Sequence, residues 1–365
     1  MSFGRFFLPG PTEVHPDVLA AQAHAVMGHR GKGMTSLIAA IDRPLRGVFR
    51  TERPVFISSS SATGFMEAGI RNAVRRRALA LVNGAFSQRF ADLVTDCGRE
   101  LDTYTVEWGQ HHQPEEVERR LREGGFDAVT VVHSETSTGV LNPLAEIAEA
   151  VRAAESATGE EILLLVDAVT SIAGAPVETD AWGLDWVLTG SQKALALPPG
   201  LAFGSASSRL LARAAELPAR GQYFDLVEFA RNWEKQQTPN TPALTLIFAL
   251  REQLSRIEAE GFDARLDRHR AMARRCWEWT ETVGVRFGLS LFAPEGYRAP
   301  TVTAIAVPDT HRGSDITKAL EARGYTIGSG YGKLKDATIR IGHMGDHDLN
   351  GLNQLLAELE EILEG

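Results

Sequence analysis

One lysine stands where lysines are costly. In VLTGSQKALALPPG, residues 187–200, Lys193 follows one apolar run and precedes another. An ammonium is usually solvated, because burying it is expensive unless its charge is paired or lost. With its pKa depressed, however, a lysine amine attacks an aldehyde and forms a Schiff base. Asp167 ends a second apolar run, ILLLVD. If the two runs are neighbouring strands, a carboxylate and an amine face one crevice. A pyridine ring carrying an aldehyde would use both. A carboxylate about 4 Å from the ring nitrogen favours its protonation by roughly 4 kcal/mol at an effective dielectric of 20, about 3 pK units. A protonated ring is the electron sink that a carbanion on a substrate carbon needs. Taken alone, each residue also has a plainer use: a lysine stem snorkelling over apolar surface, and an aspartate capping a turn.

The elements that must hold these groups run from about 55 to 205. PVFIS, ALALVN, AVTVVHS, EILLLVDA and DWVLTGS are short apolar runs that alternate with helical stretches such as GFMEAGIRNAVRRR and FSQRFADLVTDC. The runs are continuous rather than alternating, as parallel strands covered on both faces require. The pattern predicts a doubly wound α/β domain, in which ligands bind beyond the carboxyl ends of the strands. Other strand ends offer matching groups. VFISSSSATGFMEAG is strand, Ser-rich turn and helix, and puts Ser61, Ala62 and Thr63 at the helix start. Free N–H groups and the helix dipole favour an anion such as phosphate there, although plain N-capping uses the same residues. Phe86, in LVNGAFSQ, is placed to stack on a ring or to cover core. Thr136, in VVHSETSTG, is placed to hydrogen-bond a ring hydroxyl.

Further along, PALTLIFALREQLSRIEAEG predicts a long helix connecting two domains, and TVTAIAVP, GSDITKALEARG and ATIRIGHMG predict a smaller α+β domain. Leu349, Leu352, Leu356, Leu359 and Leu363 recur at helical spacing and form the apolar face of a last helix starting near Asp346. The expected division is an N-terminal arm over 1–15, a large domain over 16–250 and a small domain over 251–365. RRR at 75–77 reads as a solvated helix face.

Composition narrows the function. The chain has 365 residues and a net charge of -9, which argues against a nucleic-acid surface. Two distant cysteines, Cys97 and Cys276, fit a reducing compartment, so a cytoplasmic protein is expected. MSFGRFFLPGP lacks a signal-peptide core, and no apolar run is long enough to span a membrane. His111 and His112 have no partners at metal-ligand spacing, so no metal is expected.

The motifs FLPGPTEVHPDVL, SSSSATGFMEA, VNGAFSQRF, HSETSTGVLNPL, VDAVTS, SQKAL, TPNTPALTLIFALREQL and TIRIGHMG together resemble the class V aminotransferases, pyridoxal 5'-phosphate (PLP) enzymes of fold type I. The resemblance runs nearly end to end and is strongest to the alanine–glyoxylate, serine–glyoxylate and serine–pyruvate branch. It implies a large domain with a mostly parallel sheet between helices, and a small C-terminal domain. It implies Lys193 as the Schiff-base lysine and Asp167 as the partner of the ring nitrogen. Ser61, Ala62 and Thr63 match the phosphate turn, Gln192 contacts phosphate or ring substituents, and Thr136 lies near the ring oxygen. Phe86 takes the stacking position, where relatives often have Trp; the π-face is kept and an indole N–H is lost. Thr238, Asn240 and Thr241 match residues that reach the neighbouring subunit's cofactor, so a homodimer with shared sites is implied. Arg340 matches the arginine that clamps the substrate carboxylate, and Gly10 and Pro11 match the loop lining the substrate pocket. The implied reaction is a ping-pong exchange between alanine or serine and glyoxylate or pyruvate.

His29 and Arg30, in MGHRGKGM, leave a rival open. Similar pairs help hold the substrate phosphate in phosphoserine aminotransferases, and Arg30 also suits an internal or subunit-interface pair. A cysteine desulfurase needs a mobile cysteine near the substrate, which neither Cys97 nor Cys276 suits. A PLP-binding protein without catalysis is disfavoured by the intact set of Lys193, Asp167 and Arg340.

Overall fold

A computed structural model describes residues 3–365. The apolar runs pair into a seven-stranded sheet in the order 55–58, 202–206, 186–190, 163–167, 128–132, 77–82 and 100–105. Neighbours are parallel except at Ala202–Ala206, which runs antiparallel to both of its partners. The central strands are buried at every position, which is why their sequences show no polar alternation. Leu163–Asp167 and Trp186–Gly190 are parallel neighbours, with Asp167 opposite Leu188. The carboxylate and the lysine turn therefore emerge at the same edge.

The helix Ala62–Ala73 stops before the arginine run, and Arg77 already belongs to the strand Arg77–Val82. The Asp127 carboxylate accepts from the N–H groups of Arg76 and Arg77, which ties this backbone to the sheet rather than to a helix. The continuous helix Leu244–Glu260 crosses residue 250 and buries Ile247, Leu250, Leu254 and Ile257 in the large core.

A second sheet has five strands in the order 6–7, 326–329, 338–341, 303–306 and 290–291. Phe6–Phe7 lies parallel to Thr326–Ile327, so the start of the chain is an edge strand of the C-terminal sheet. Phe7, Trp279, Ile305, Ile339 and Leu356 share a core separate from the first. The last helix, Leu349–Glu364, is capped by the Asp348 carboxylate, which accepts from Gly351 N at 2.8 Å. Leu352, Leu355, Leu356, Leu359 and Leu363 are buried, each contributing about 1.5–3 kcal/mol. Leu349 is 40% exposed: in the first turn it stands outside the apolar face, and Leu355 fills that face instead. Among the described residues no helix is long and apolar enough to cross a membrane, and no group of three or more His, Cys, Asp or Glu is arranged to hold a metal ion.

Three buried histidines hold contacts within these parts. His347 stacks on Phe7 at 4.1 Å and donates to the Phe6 carbonyl at 2.9 Å. His343 meets Thr303 Oγ1 at 2.8 Å, and His112 donates to the Tyr104 carbonyl at 3.2 Å. Burial pushes each of the three down to about 4. The unfolded chain, with histidine pKa near 6.5, then binds more protons than the folded one between pH 6.5 and 4. Their contribution is complete above about pH 6.5 and is lost as the pH falls toward 4, on the order of 3 kcal/mol per histidine. Asp167, pushed up to about 7 by burial, works in the opposite sense but is one group against three. Denaturant titrations from pH 7 to pH 4.5 should show a falling midpoint, and a constant or rising one contradicts this account.

Candidate active site

Lys193 lies just past the strand Trp186–Gly190 and is 6% exposed. Its Nζ donates to the carbonyl of Pro9. Gly10 has φ +123°, and a Cβ there would fall 2.4 Å from Nζ, so only glycine lets the N-terminal segment close over the amine. Thr12 N donates to the Gln192 carbonyl at 2.9 Å and fixes the segment beyond Pro11. Burial lowers the Lys193 pKa to about 8; Arg340 adds repulsion, while Asp167 and Glu135 oppose the shift.

Asp167 is the last residue of its strand and is 2% exposed. One carboxylate oxygen accepts from Val169 N at 2.8 Å. The other has no hydrogen-bond partner among the described residues. Burial raises this carboxyl to about 7, against the Val169 N–H and the Lys193 charge. A cavity of about 180 Å³ is lined by Asp167 and Lys193 together with Ser61, Thr63, Phe86 and Thr136. Ala62 and Gln192 line it as well.

Each remaining wall has a local cause. Ser61 is the N-cap residue of Ala62–Ala73, yet its side chain makes no capping hydrogen bond, so the first N–H groups of the helix are left for another acceptor. The Phe86 ring centroid is 5.8 Å from Lys193 Nζ. Thr136 Oγ1 is 2.5 Å from Thr170 Oγ1. Glu135 carries no signal in the sequence beyond a charge in a polar loop, yet it is fully buried. Its carboxylate accepts from Phe86 N, Ser87 N and Ser137 N and from both serine hydroxyls. It caps the helix Ala85–Asp96 from across the sheet and fixes the Phe86 backbone. Arg89, on the same helix, also lines the cavity.

Arg340 sits in the strand Thr338–Ile341 and is 9% exposed. Its Nε donates to Ser329 O at 2.9 Å and one Nη to Thr136 O at 3.2 Å. No carboxylate pairs with it among the described residues. Burial lowers its pKa, but a guanidinium stays charged in a protein, so an anion is needed there.

Other residues lie apart from this cavity. Arg30 donates to Gln237 Oε1 and to the carbonyls of Thr238 and Pro239, so its guanidinium holds a loop. Thr238, Asn240 and Thr241 line a separate pocket with Ser59 and Tyr223. Cys97 ends the helix Ala85–Asp96, and Cys276 is buried in the second core with its thiol pushed up to about 12 by burial.

Residues 17–335 match the family model described as aminotransferase class-V. A solved alanine–glyoxylate aminotransferase from Nostoc sp. has 33% identity and a TM-score of 0.91, covering 100% of this chain and 96% of that one. At that likeness the molecule has the fold of the type I PLP-dependent transferases. A serine–glyoxylate aminotransferase of Methylorubrum extorquens is 34% identical over 96% of this chain and 88% of its own length. A Synechococcus sp. protein named the small subunit of a soluble hydrogenase is 35% identical over 96% of this chain and 92% of its own. The chain belongs to the class V aminotransferases, PLP-dependent transaminases.

Proposed function

We propose that the protein moves an amino group from alanine or serine to glyoxylate or pyruvate at the Lys193 cavity. The observation that carries this reading is Arg340, a buried cation beside Lys193 with no carboxylate of its own, which suits the single carboxylate of a small substrate. The names of the Nostoc and Methylorubrum relatives support alanine and serine as donors and glyoxylate as acceptor. The hydrogenase name is the Synechococcus protein's and is not carried over to this chain.

The cavity's residues suit PLP. The free oxygen of Asp167 suits a ring N–H, the uncapped helix start at Ser61, Ala62 and Thr63 suits a phosphate, and Phe86 offers a ring face. Bound there, the cofactor supplies an aldehyde for the amino group and a ring that takes up the electron pair left at the substrate carbon. Lys193 would hold the aldehyde and, as a free amine, would carry the α-proton. A pKa of about 8 keeps part of the amine unprotonated near neutral pH, as a base must be. Asp167 keeps the ring nitrogen charged, Thr136 and Gln192 orient ring substituents, and Gly10 and Pro11 border the substrate side. One site serves both half-reactions, so the first oxo acid leaves before the second binds.

The working unit in this reading is a homodimer. Thr238, Asn240 and Thr241 serve the cavity of a second copy, and Arg30 holds their loop in shape. Arg30 is thereby occupied, which counts against a phosphoserine substrate, whose phosphate needs its own cation.

Measuring kcat/KM for alanine and serine with glyoxylate, against phosphoserine with 2-oxoglutarate, tests the proposal. The first pairs should lead by at least about tenfold, about 1.4 kcal/mol of transition-state preference. A lead for phosphoserine refutes it. Arg340→Lys should lower kcat/KM about tenfold to a hundredfold for every donor, because a point charge cannot replace the planar fork. A loss confined to one donor removes Arg340 from the carboxylate site.

A further inference from the structure

Tyr331 stands at the seam between the two sheets. It follows the strand Thr326–Ser329 in a tight turn: a Cβ on Gly330 would fall 1.8 Å from the Leu334 carbonyl oxygen, so only glycine fits there. Lys333 Nζ lies 4.4 Å from the Trp108 ring and pins the turn to the large-sheet body. Tyr331 is 37% exposed, with one side toward solvent. On its other side the Arg340 guanidinium carbon lies 5.7 Å from the ring centroid, and Phe86 packs at 5.2 Å. Arg89 donates to its hydroxyl at 3.2 Å. Phe86 in turn lies 5.8 Å from Lys193 Nζ. A substrate with its carboxylate on Arg340 and its amino group toward Lys193 must set its α-carbon between them, beside the Tyr331 and Phe86 rings.

We infer that Tyr331 limits the length of the substrate side chain. The inference rests on the transaminase reading, with Arg340 at the carboxylate. The ring contacts Arg340, Phe86 and Arg89 and would lose those contacts by swinging aside. A hydrogen, methyl or hydroxymethyl group clears it, whereas a chain of three carbons meets it. Exclusion of this kind discriminates by about 10–200-fold for each methylene in a closed pocket.

The test uses the holoenzyme with glyoxylate as acceptor and alanine, 2-aminobutyrate and norvaline as donors. In the wild type, kcat/KM should fall at least about tenfold from alanine to norvaline. Tyr331→Ala should reduce that ratio by about tenfold, and Tyr331→Trp should increase it. An unchanged ratio in both variants overturns the inference. A second readout needs no turnover: calorimetric Kd values of acetate, propionate and pentanoate on the cofactor-free protein, restricted to binding that Arg340→Lys weakens. Tyr331→Ala should favour pentanoate relative to acetate by about threefold or more, and an unchanged order again overturns the inference. A wild type that exchanges no amino group with any donor defeats the transaminase reading instead, and the carboxylate series then decides the role of Tyr331 alone.

Discussion

Lys193→Ala is expected to lower turnover by about 10⁴-fold or more, because in the proposed reaction one residue supplies both the nucleophile and the proton carrier. The variant should still take up some cofactor, since the helix start at Ser61, the Phe86 ring and Asp167 are untouched. In the wild type, borohydride should fix the cofactor to the peptide that contains Lys193, and label on another lysine would displace it from this role. The contact of Nζ with the Pro9 carbonyl adds a control. If loss of activity came only from a loosened N-terminal segment, thermal stability would fall in parallel with uptake. A stable, cofactor-binding and inactive variant separates the chemical loss from the structural one.

Asp167→Asn should leave the cavity's shape intact and remove its anion. Cofactor should still bind, while the α-proton step slows by about 10²–10⁴-fold, the range typical of lost acid–base assistance. Single-turnover absorbance reads that step directly, and a near-normal rate contradicts the role. Burial pushes this carboxyl up to about 7 even with the Lys193 and Arg89 charges opposing the shift. A ring N–H against its free oxygen favours the charged form and draws that value down. In the proposed role the charge of Asp167 and the charge of the ring would stabilise each other, and asparagine would supply no anion.

Much of this was legible because the large sheet is buried on both faces. Its strands are unbroken apolar runs, and a charged residue at the end of such a run stands out, as Asp167 and Lys193 do. Phe6–Phe7 is too short to show a period, and its partner lies at Thr326–Ile327. Glu135 looks like any loop acid until folding brings it to Ser87, 48 residues away. Tyr331 and Arg89 are 242 residues apart and meet only because the two sheets do. Arg75–Arg77 misled for a local reason: arginine is a good helix former, but Asp127 holds the backbone there for a strand. Leu349 has helical spacing from its neighbours, yet the first turn overhangs the core.

The pairing of Phe6–Phe7 with Thr326–Ile327 has a consequence for biosynthesis. The ribosome makes Phe6–Phe7 long before Thr326–Ile327, so that strand has no place to dock until residue 327 has emerged. Contacts across so long a sequence separation form late. Pro9 and Gly10 lie just beyond this strand and cover Lys193, so from the point at which residue 193 is made a growing chain leaves that amine uncovered until the strand docks. A chain arrested short of residue 326 keeps that amine open to any small aldehyde. Closure of the site thus doubles as a sign that synthesis has reached the last sheet.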